Sequence, residues 1–243
     1  MRISNRLKAL YDAVEKGESA ADIGTDHGYV PLMLIRNGIS PRVILSDISE
    51  GSLAKARENF AVTGVSIPEA DFRIGDGLSS IRPGEVDDVI IGGLGGQTII
   101  HILEADPEKT RSFRKLILQP RNSCGELRCF LYCSGFDIAN ESLSSEGKFI
   151  CEVITAVRSS GDHREPPFDQ HDIRWKYPEE FVYCDPDLLE MRIRWKAGRL
   201  SEQIDSLKKS RTDQSERIRL LADQRKYLLE LMRKNKEFNG KKS

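Results

Sequence analysis

The 243 residues predict an α/β fold: a parallel sheet wound on both faces by helices, finished by an antiparallel hairpin and followed by a C-terminal α-helical coiled-coil hairpin. Short β-branched runs alternate with helical patterns between residues 20 and 133, as βα units do. Two strand patterns, 136–143 and 149–157, then follow one another across residues 144–148, a connection too short for a crossover helix. From Asp187 the pattern turns helical, with Ile193, Ala197, Leu200, Ile204 and Leu207 stepping by four and three.

Taken in order, residues 4–16 form a helix with Ser4 as N-cap, Leu7, Leu10, Tyr11 and Val14 on one face, and Gly17 as its stop. Residues 20–31 (Ala-Ala-Asp-Ile-Gly-Thr-Asp-His-Gly-Tyr-Val-Pro) read as strand, tight turn and helix start, with the helix over 30–37 ended by Gly38. A strand over 42–46 ends on Asp47, and Leu53, Ala56 and Phe60 mark a helix closed by Gly64. A strand over 71–74 leads into Gly75-Asp76-Gly77, and a buried strand over 86–91 empties into Gly92-Gly93-Leu94-Gly95-Gly96. Helix 98–103, strand 115–118 ending in Gln119-Pro120-Arg121-Asn122, and helix 127–132 lead to the hairpin. Residues 159–186 are irregular, so the chain divides into a body at 1–160, a linker at 161–186 and a helical hairpin at 187–243. Residues 210–215 break the two helices, and the second stripe is Ile218, Leu221, Leu228 and Met232, interrupted by Arg225.

The net charge of -1 hides an asymmetry. Of 37 Lys/Arg and 38 Asp/Glu, 16 and 9 fall in residues 187–243, leaving 21 and 29 for the rest. An acidic body with a basic tail suits a polyanion, although a solvated helical pair has the same composition. The cysteines (Cys124, Cys129, Cys133, Cys151, Cys184) form no C-x-x-C pair and are odd in number, which points to reduced thiols rather than a disulfide scaffold or zinc site. With no apolar h-region and no bilayer-length apolar run, a soluble cytoplasmic protein is expected, with no membrane and no metal.

The turn after the first strand is where chemistry is expected. Position 26 is Asp where a dinucleotide fingerprint has its second Gly, and no Gly-Lys-Ser/Thr closes a phosphate loop. Asp22 and Asp26 together repel phosphate but suit a cationic, hydroxyl-rich ligand such as S-adenosylmethionine. An ordinary βα turn of small residues is the alternative. A wound sheet ending in an antiparallel hairpin is the Rossmann-like class I methyltransferase variant, which favours that ligand over NAD. Asp47, about 20 residues further on, is placed for ribose hydroxyls or as a helix cap. Asp76 could accept from an adenine amino group or cap a turn. Four glycines between 92 and 96 demand unusual backbone angles or close ligand approach. The four His (His27, His101, His163, His171) lack metal-ligand spacing; His101 reads as packed or solvated, whereas His27 belongs to the turn itself. Arg192, Arg194, Lys196, Arg199, Lys208, Lys209 and Arg211 form either a solvated face or an RNA-binding one. A NAD-dependent Rossmann enzyme and a non-catalytic RNA-binding coiled-coil protein remain the rival readings.

Asp22-Ile23-Gly24-Thr25-Asp26-His27-Gly28-Tyr29-Val30-Pro31, Gly92-Gly93-Leu94-Gly95-Gly96 and Leu118-Gln119-Pro120-Arg121-Asn122 together resemble the TrmK-type bacterial tRNA (adenine(22)-N(1))-methyltransferases. The first stretch matches that family's D-x-G-[ST]-D-H-x-Y-x-P at every fixed position. Two departures are Leu94 in place of the Met of G-M-G-G and Arg121 in place of the Asn of L-Q-P-N. The resemblance implies S-adenosyl-L-methionine as cofactor, held by Asp22, Gly24, Asp26, His27, Asp47, Ile48, Asp76, Gly77 and Gly93. It implies tRNA as partner, with Tyr29, Leu94, Gly95, Gly96, Gln119, Pro120 and Arg121 at the base pocket and Arg199, Lys208 and Lys209 on the tRNA backbone. Asp26 is then expected to stabilise the cationic methylated ring and His27 to orient it or shuttle a proton. A monomer or a weak dimer through the C-terminal helices is expected.

Overall fold

The computed structural model describes residues 3–161, 164–210 and 212–241, so His163 and Arg211 lie outside the described residues. Five strands run parallel: β1 (Ala20–Ile23), β2 (Val43–Asp47), β3 (Phe72–Ile74), β4 (Asp88–Leu94) and β5 (Lys115–Pro120). Every residue of β1, β2 and β5 is buried, as strands covered on both faces must be. The hairpin strands β6 (Phe136–Glu146) and β7 (Phe149–Arg158) complete one sheet in the order β3-β2-β1-β4-β5-β7-β6, with β7 antiparallel to both neighbours. Gly147, at φ 59, supplies the left-handed residue that a two-residue hairpin turn needs.

The helices are α1 (Asn5–Asp12), α2 (Tyr29–Arg36), α3 (Glu50–Thr63), α4 (Gly96–Glu104), α5 (Pro107–Ser112), α6 (Cys124–Cys133), α7 (Ile173–Lys176), α8 (Pro186–Lys208) and α9 (Ser215–Gly240). Alternation along β4 sends Val89 and Ile91 into a core with Ile99, Leu103, Leu127 and Leu131. Ile90 points the other way, into a core with Leu10, Val14, Val30 and Leu34.

Three segments depart from expectation. Helix α1 stops at Asp12 rather than running to residue 16, with Val14 still buried behind it. Strand β4 extends through Gly92 and Gly93 to Leu94, so the glycine-rich stretch passes from strand to helix almost without a loop. The region read as irregular holds α7 and a 3-10 turn at Glu179–Tyr183, and buries Trp175, Tyr177, Phe181 and Cys184. Tyr177, Phe181 and Cys184 join Leu143 of β6 and Leu189, Ile193, Leu200, Leu228 and Leu231 of α8 and α9 in one cluster. Apolar periodicity misses such a segment because its aromatic anchors have no regular spacing.

Only the body-proximal half of the α8 stripe is deeply buried (Leu189, Ile193, Ala197, Leu200); Ile204 and Leu207 are half-buried. On α9 the buried positions are Leu228, Leu231 and Asn235 rather than Met232. The Asn235 Nδ2 donates to the carbonyls of Phe181 (3.2 Å), Val182 (2.9 Å) and Cys184 (2.9 Å), which makes a polar residue the latch of that helix. Arg128 of α6 is 2% exposed and donates to Glu141 (2.6 Å), Glu152 (2.5 Å) and the Trp175 carbonyl (3.1 Å), while Arg192 of α8 pairs with the other Glu152 oxygen. The C-terminal helices are thus joined to the sheet through buried charge.

Candidate functional site

At the carboxyl ends of β1 and β4 a cleft of about 670 Å³ is lined by Asp22, Gly24, Asp26, His27, Tyr29, Gly93, Leu94 and Arg121, together with Arg6, Leu10 and Glu146. Ligands bind wound sheets at this end because the strand termini splay apart there. Asp22, the third residue of β1, is buried, and Thr25 Oγ1 donates to its Oδ2 at 2.6 Å. Burial raises the Asp22 carboxyl to about 6; the Thr25 hydroxyl opposes the rise, Asp47 adds to it, and Arg6 opposes it from a distance.

The turn then needs three left-handed residues. Gly24 (φ 72) brings its own and the Thr25 amide onto the Ser46 carbonyl. Asp26 (φ 46) is a non-glycine in that region, a strain on the order of 1 kcal/mol or more. Gly28 (φ 66) is a packing requirement, since a Cβ there would meet Leu45 at 2.8 Å and Ala56 at 3.0 Å. The Asp26 carboxylate faces outward, 3.4 Å from Lys55 Nζ and 3.5 Å from His27 Nε2. The His27 ring stacks flat on Tyr29, centroids 5.2 Å apart and planes 5° apart.

Asp47 accepts from the Ser49 amide (2.9 Å) and the Asp26 amide (3.2 Å); the cap of α3 is Ser49, so Asp47 is not spent on the helix. Beside it Ile48 is 71% exposed and, at the end of β3, Ile74 is 61% exposed, two apolar surfaces of the kind that flank a planar base. Asp76 and Gly77 line a separate cavity of about 410 Å³ with Thr98, His101 and Ile102. His101 is exposed and its Nδ1 lies 2.9 Å from the Gln97 carbonyl of its own helix.

The glycine run divides into two roles. A Cβ at Gly96 would meet the Asn122 carbonyl at 2.5 Å, so backbone packing requires that glycine, whereas Gly92, where a Cβ would meet the Leu10 side chain at 2.8 Å, also lines the cleft. Gly93 (φ 79) faces the cleft, and Gly95 is the N-cap of α4. Gly96, Gln119 and Pro120, expected at the base pocket, are buried and do not line the cleft. The Gln119 Oε1 accepts from the Gly93 amide (3.0 Å) and Arg6 Nη1 (3.3 Å), and its Nε2 donates to the Pro120 carbonyl, so it positions the cleft wall. Asn122 Oδ1 accepts from the Gly96 amide at 3.1 Å, and Arg121, whose side chain has no hydrogen-bond or ion-pair partner among the described residues, lines the cleft instead. Arg199 and Lys208 are exposed on α8 with Glu202 and Asp205 at 3.8 Å, Lys209 is exposed beyond them, and none lines the cleft.

Arg6 and Glu146 are the cleft residues that sequence reasoning missed. The Arg6 Nε lies 3.0 Å from both Glu146 oxygens. One signal was present: Arg6 stands four residues before Leu10, a cation on the inward face of α1. Glu146 reaches the cleft only through the register of the hairpin.

A family model described as a methyltransferase domain matches residues 3–154. The tRNA (adenine(22)-N(1))-methyltransferase of Bacillus subtilis is 32% identical over 162 residues, 67% of this chain and 68% of that protein. The crystal structure of the B. subtilis m1A22 tRNA methyltransferase TrmK matches with TM-score 0.74 and 26% identity, covering 95% of this chain and 99% of that one. The structure of M. capricolum TrmK with S-adenosyl-homocysteine shares the fold at TM-score 0.70 and 21% identity, over 96% and 99% of the two chains.

Proposed function

Because the chain belongs to the tRNA (adenine(22)-N(1))-methyltransferase family, we propose that it transfers a methyl group from S-adenosylmethionine to ring nitrogen 1 of an adenine in tRNA, at the position corresponding to nucleotide 22. The observation that carries the reading is Asp22: a buried carboxylate at a strand end, hydrogen-bonded by one hydroxyl and paired with no cation among the described residues, beside Gly24 and Gly93. A buried anion left in this state favours a ligand that brings its own positive charge. The donor set fits that cofactor: Asp22 for the ammonium, Arg6 for the carboxylate, Asp47 for the ribose hydroxyls, Ile48 and Ile74 against the adenine, Asp76 and Gly77 at its amino edge.

When bound, S-adenosylmethionine supplies an electrophilic methyl group on a sulfonium. Ring nitrogen 1 of adenine keeps its lone pair at neutral pH, so the chain need not supply a strong base. What it must do is align two reactants and exclude water. The stacked His27 and Tyr29 present a flat face to the extruded base, and Gln119 holds the Gly93 amide in place. Asp26, only partly neutralised by Lys55, stabilises the positive charge that grows on the ring. His27 orients Asp26 or shuttles a proton.

Residues 1–160 act as the transferring unit and 187–243 as an arm that takes tRNA phosphates through Arg199, Lys208 and Lys209, connected by 161–186. No helix among the described residues is long and apolar enough to cross a membrane. The protein works in the cytoplasm, where its substrate is, as a monomer or a weak dimer through the arm, and the chemistry calls for no metal. Incubation with labelled S-adenosylmethionine and unmodified tRNA, followed by nucleoside mass spectrometry, should yield 1-methyladenosine. Label on another base, or none, sinks the reading.

A further inference from the structure

The basic residues of α8 are not equivalent. Arg192 is committed to buried Glu152, and Arg194 to Glu190, with which Lys236 also pairs. Lys176 and Lys196 have no acidic partner among the described residues, and Arg199 has only the exposed Glu202 at 3.8 Å. These three are close enough to repel. Burial first, then the charges of Lys176 and Arg199, hold the Lys196 ammonium below the ordinary lysine range. Folding does not gather like charges without anions except at a cost, which an anionic partner relieves.

Next to Lys196 on α8 stands Trp195, 69% exposed, one turn from Met191, 53% exposed, and one turn from Arg199. The three positions span roughly 12 Å along one helix face. Trp195 and Met191 together make an exposed apolar patch of the kind that marks an interaction surface. With Lys196 beside it and Arg199 one turn on, its fitting partner is a strand that is anionic along its backbone and aromatic at its bases. The patch also leads toward the cleft. Lys176 lies against the first turn of α6, its backbone nitrogen 3.3 Å from where a Gly125 Cβ would stand. Helix α6 begins four residues after Pro120, and Arg121 between them reaches the cleft with an unpaired guanidinium.

We infer that the Trp195 face of α8, together with Lys176, Lys196 and Arg199 and continued by Arg121 at the cleft, is the surface on which tRNA docks, with an unpaired base stacked on the indole. This rests on tRNA being the substrate, and it identifies one face rather than the whole basic arm. Phosphates on the four cations hold the strand, and the energy of that contact offsets the unstacking of the target adenine.

Binding and turnover are to be measured separately on the full-length protein with unmodified tRNA. W195A should raise the tRNA Kd at least about fivefold, the lower end of base–aromatic stacking. K176E/K196E/R199E should raise it on the order of 100-fold and flatten the salt dependence by roughly 2–3 in log–log slope. Cofactor affinity and melting temperature should not move, and K16E, in the loop that enters the amino end of β1, should behave as wild type. Wild-type tRNA affinity in both patch variants overturns the inference. So does a W195A effect confined to self-association in sedimentation, which would give the face to a second copy of the chain. Wild-type protein that binds tRNA through these residues without methylating it would uphold the surface and sink the enzymatic reading instead.

Discussion

Two buried carboxylates show how this chain separates stability from function. Glu152, in the joint between the sheet and the C-terminal helices, is 3% exposed and held by Arg128 and Arg192. Burial alone would raise its carboxyl, but the two guanidiniums outweigh burial and hold it at about 2. Asp22, in the cleft, is 8% exposed and has, among the described residues, only a threonine hydroxyl as side-chain hydrogen-bond partner, so burial wins and the carboxyl rises to about 6. Desolvation is common to both; a cation supplied by the fold is not. Where the chain provides the counter-charge the carboxylate is structural, and where it withholds it the carboxylate suits a ligand that brings a positive charge.

Removing each carboxylate should therefore act with opposite sign. Glu152→Ala takes the carboxylate from Arg192 and one of two from Arg128, which keeps Glu141, and should destabilise the protein by about 3–5 kcal/mol in urea unfolding, the largest effect expected. A loss below about 1 kcal/mol would make the joint dispensable. Asp22→Asn should instead stabilise the cofactor-free protein at pH 7 by up to about 3 kcal/mol, because it removes the cost of ionising a buried acid. The same change should weaken S-adenosylmethionine roughly 10–100-fold by calorimetry, the value of a charge-assisted contact. Destabilisation together with unaltered affinity would place Asp22 with Glu152.

The pH dependences should diverge likewise. The folded-state pKa of Asp22 lies above its ordinary value, so its contribution to stability is complete below about pH 4 and is lost as pH rises through about 6. Cofactor affinity runs the other way, falling by about tenfold per unit below pH 6, and Asp22→Asn should abolish that slope. For Glu152 the folded value is depressed, so its contribution is present above about 4.5 and fades only as pH falls toward 2. The smallest effect is expected at Thr25→Val, which removes the one hydroxyl that restrains the Asp22 rise. It should shift the midpoint of the affinity profile upward by about half a unit to one unit, a loss of about 1 kcal/mol. A midpoint that moves down would contradict the assigned hydrogen bond.

Much of the cleft was legible because it lies on consecutive residues. Asp22, Gly24, Asp26, His27 and Tyr29 occupy one turn, and an acidic strand end with left-handed glycines names its chemistry locally. The glycine run at 92–96 was legible as unusual but not as mixed in purpose, since only packing shows Leu10 against Gly92 and the Asn122 carbonyl against Gly96. Gln119 reads from the sequence as a base-pocket residue, whereas in the structure it is buried and accepts from the Gly93 amide; a buried amide and a ligand-facing one look identical in a sequence.

The alternation of period-2 and period-3.6 patterns determined the order and type of most elements, and the acidic turn determined the class of ligand, because both depend on residues close along the chain. Tertiary structure alone decided that Arg6, Glu146 and Arg121 share a cleft and that Arg128, Glu141, Glu152 and Arg192 share a joint. Those groupings bring together side chains up to 140 positions apart. Which charge meets which across such a separation follows from strand register and helix packing, and no local pattern encodes it.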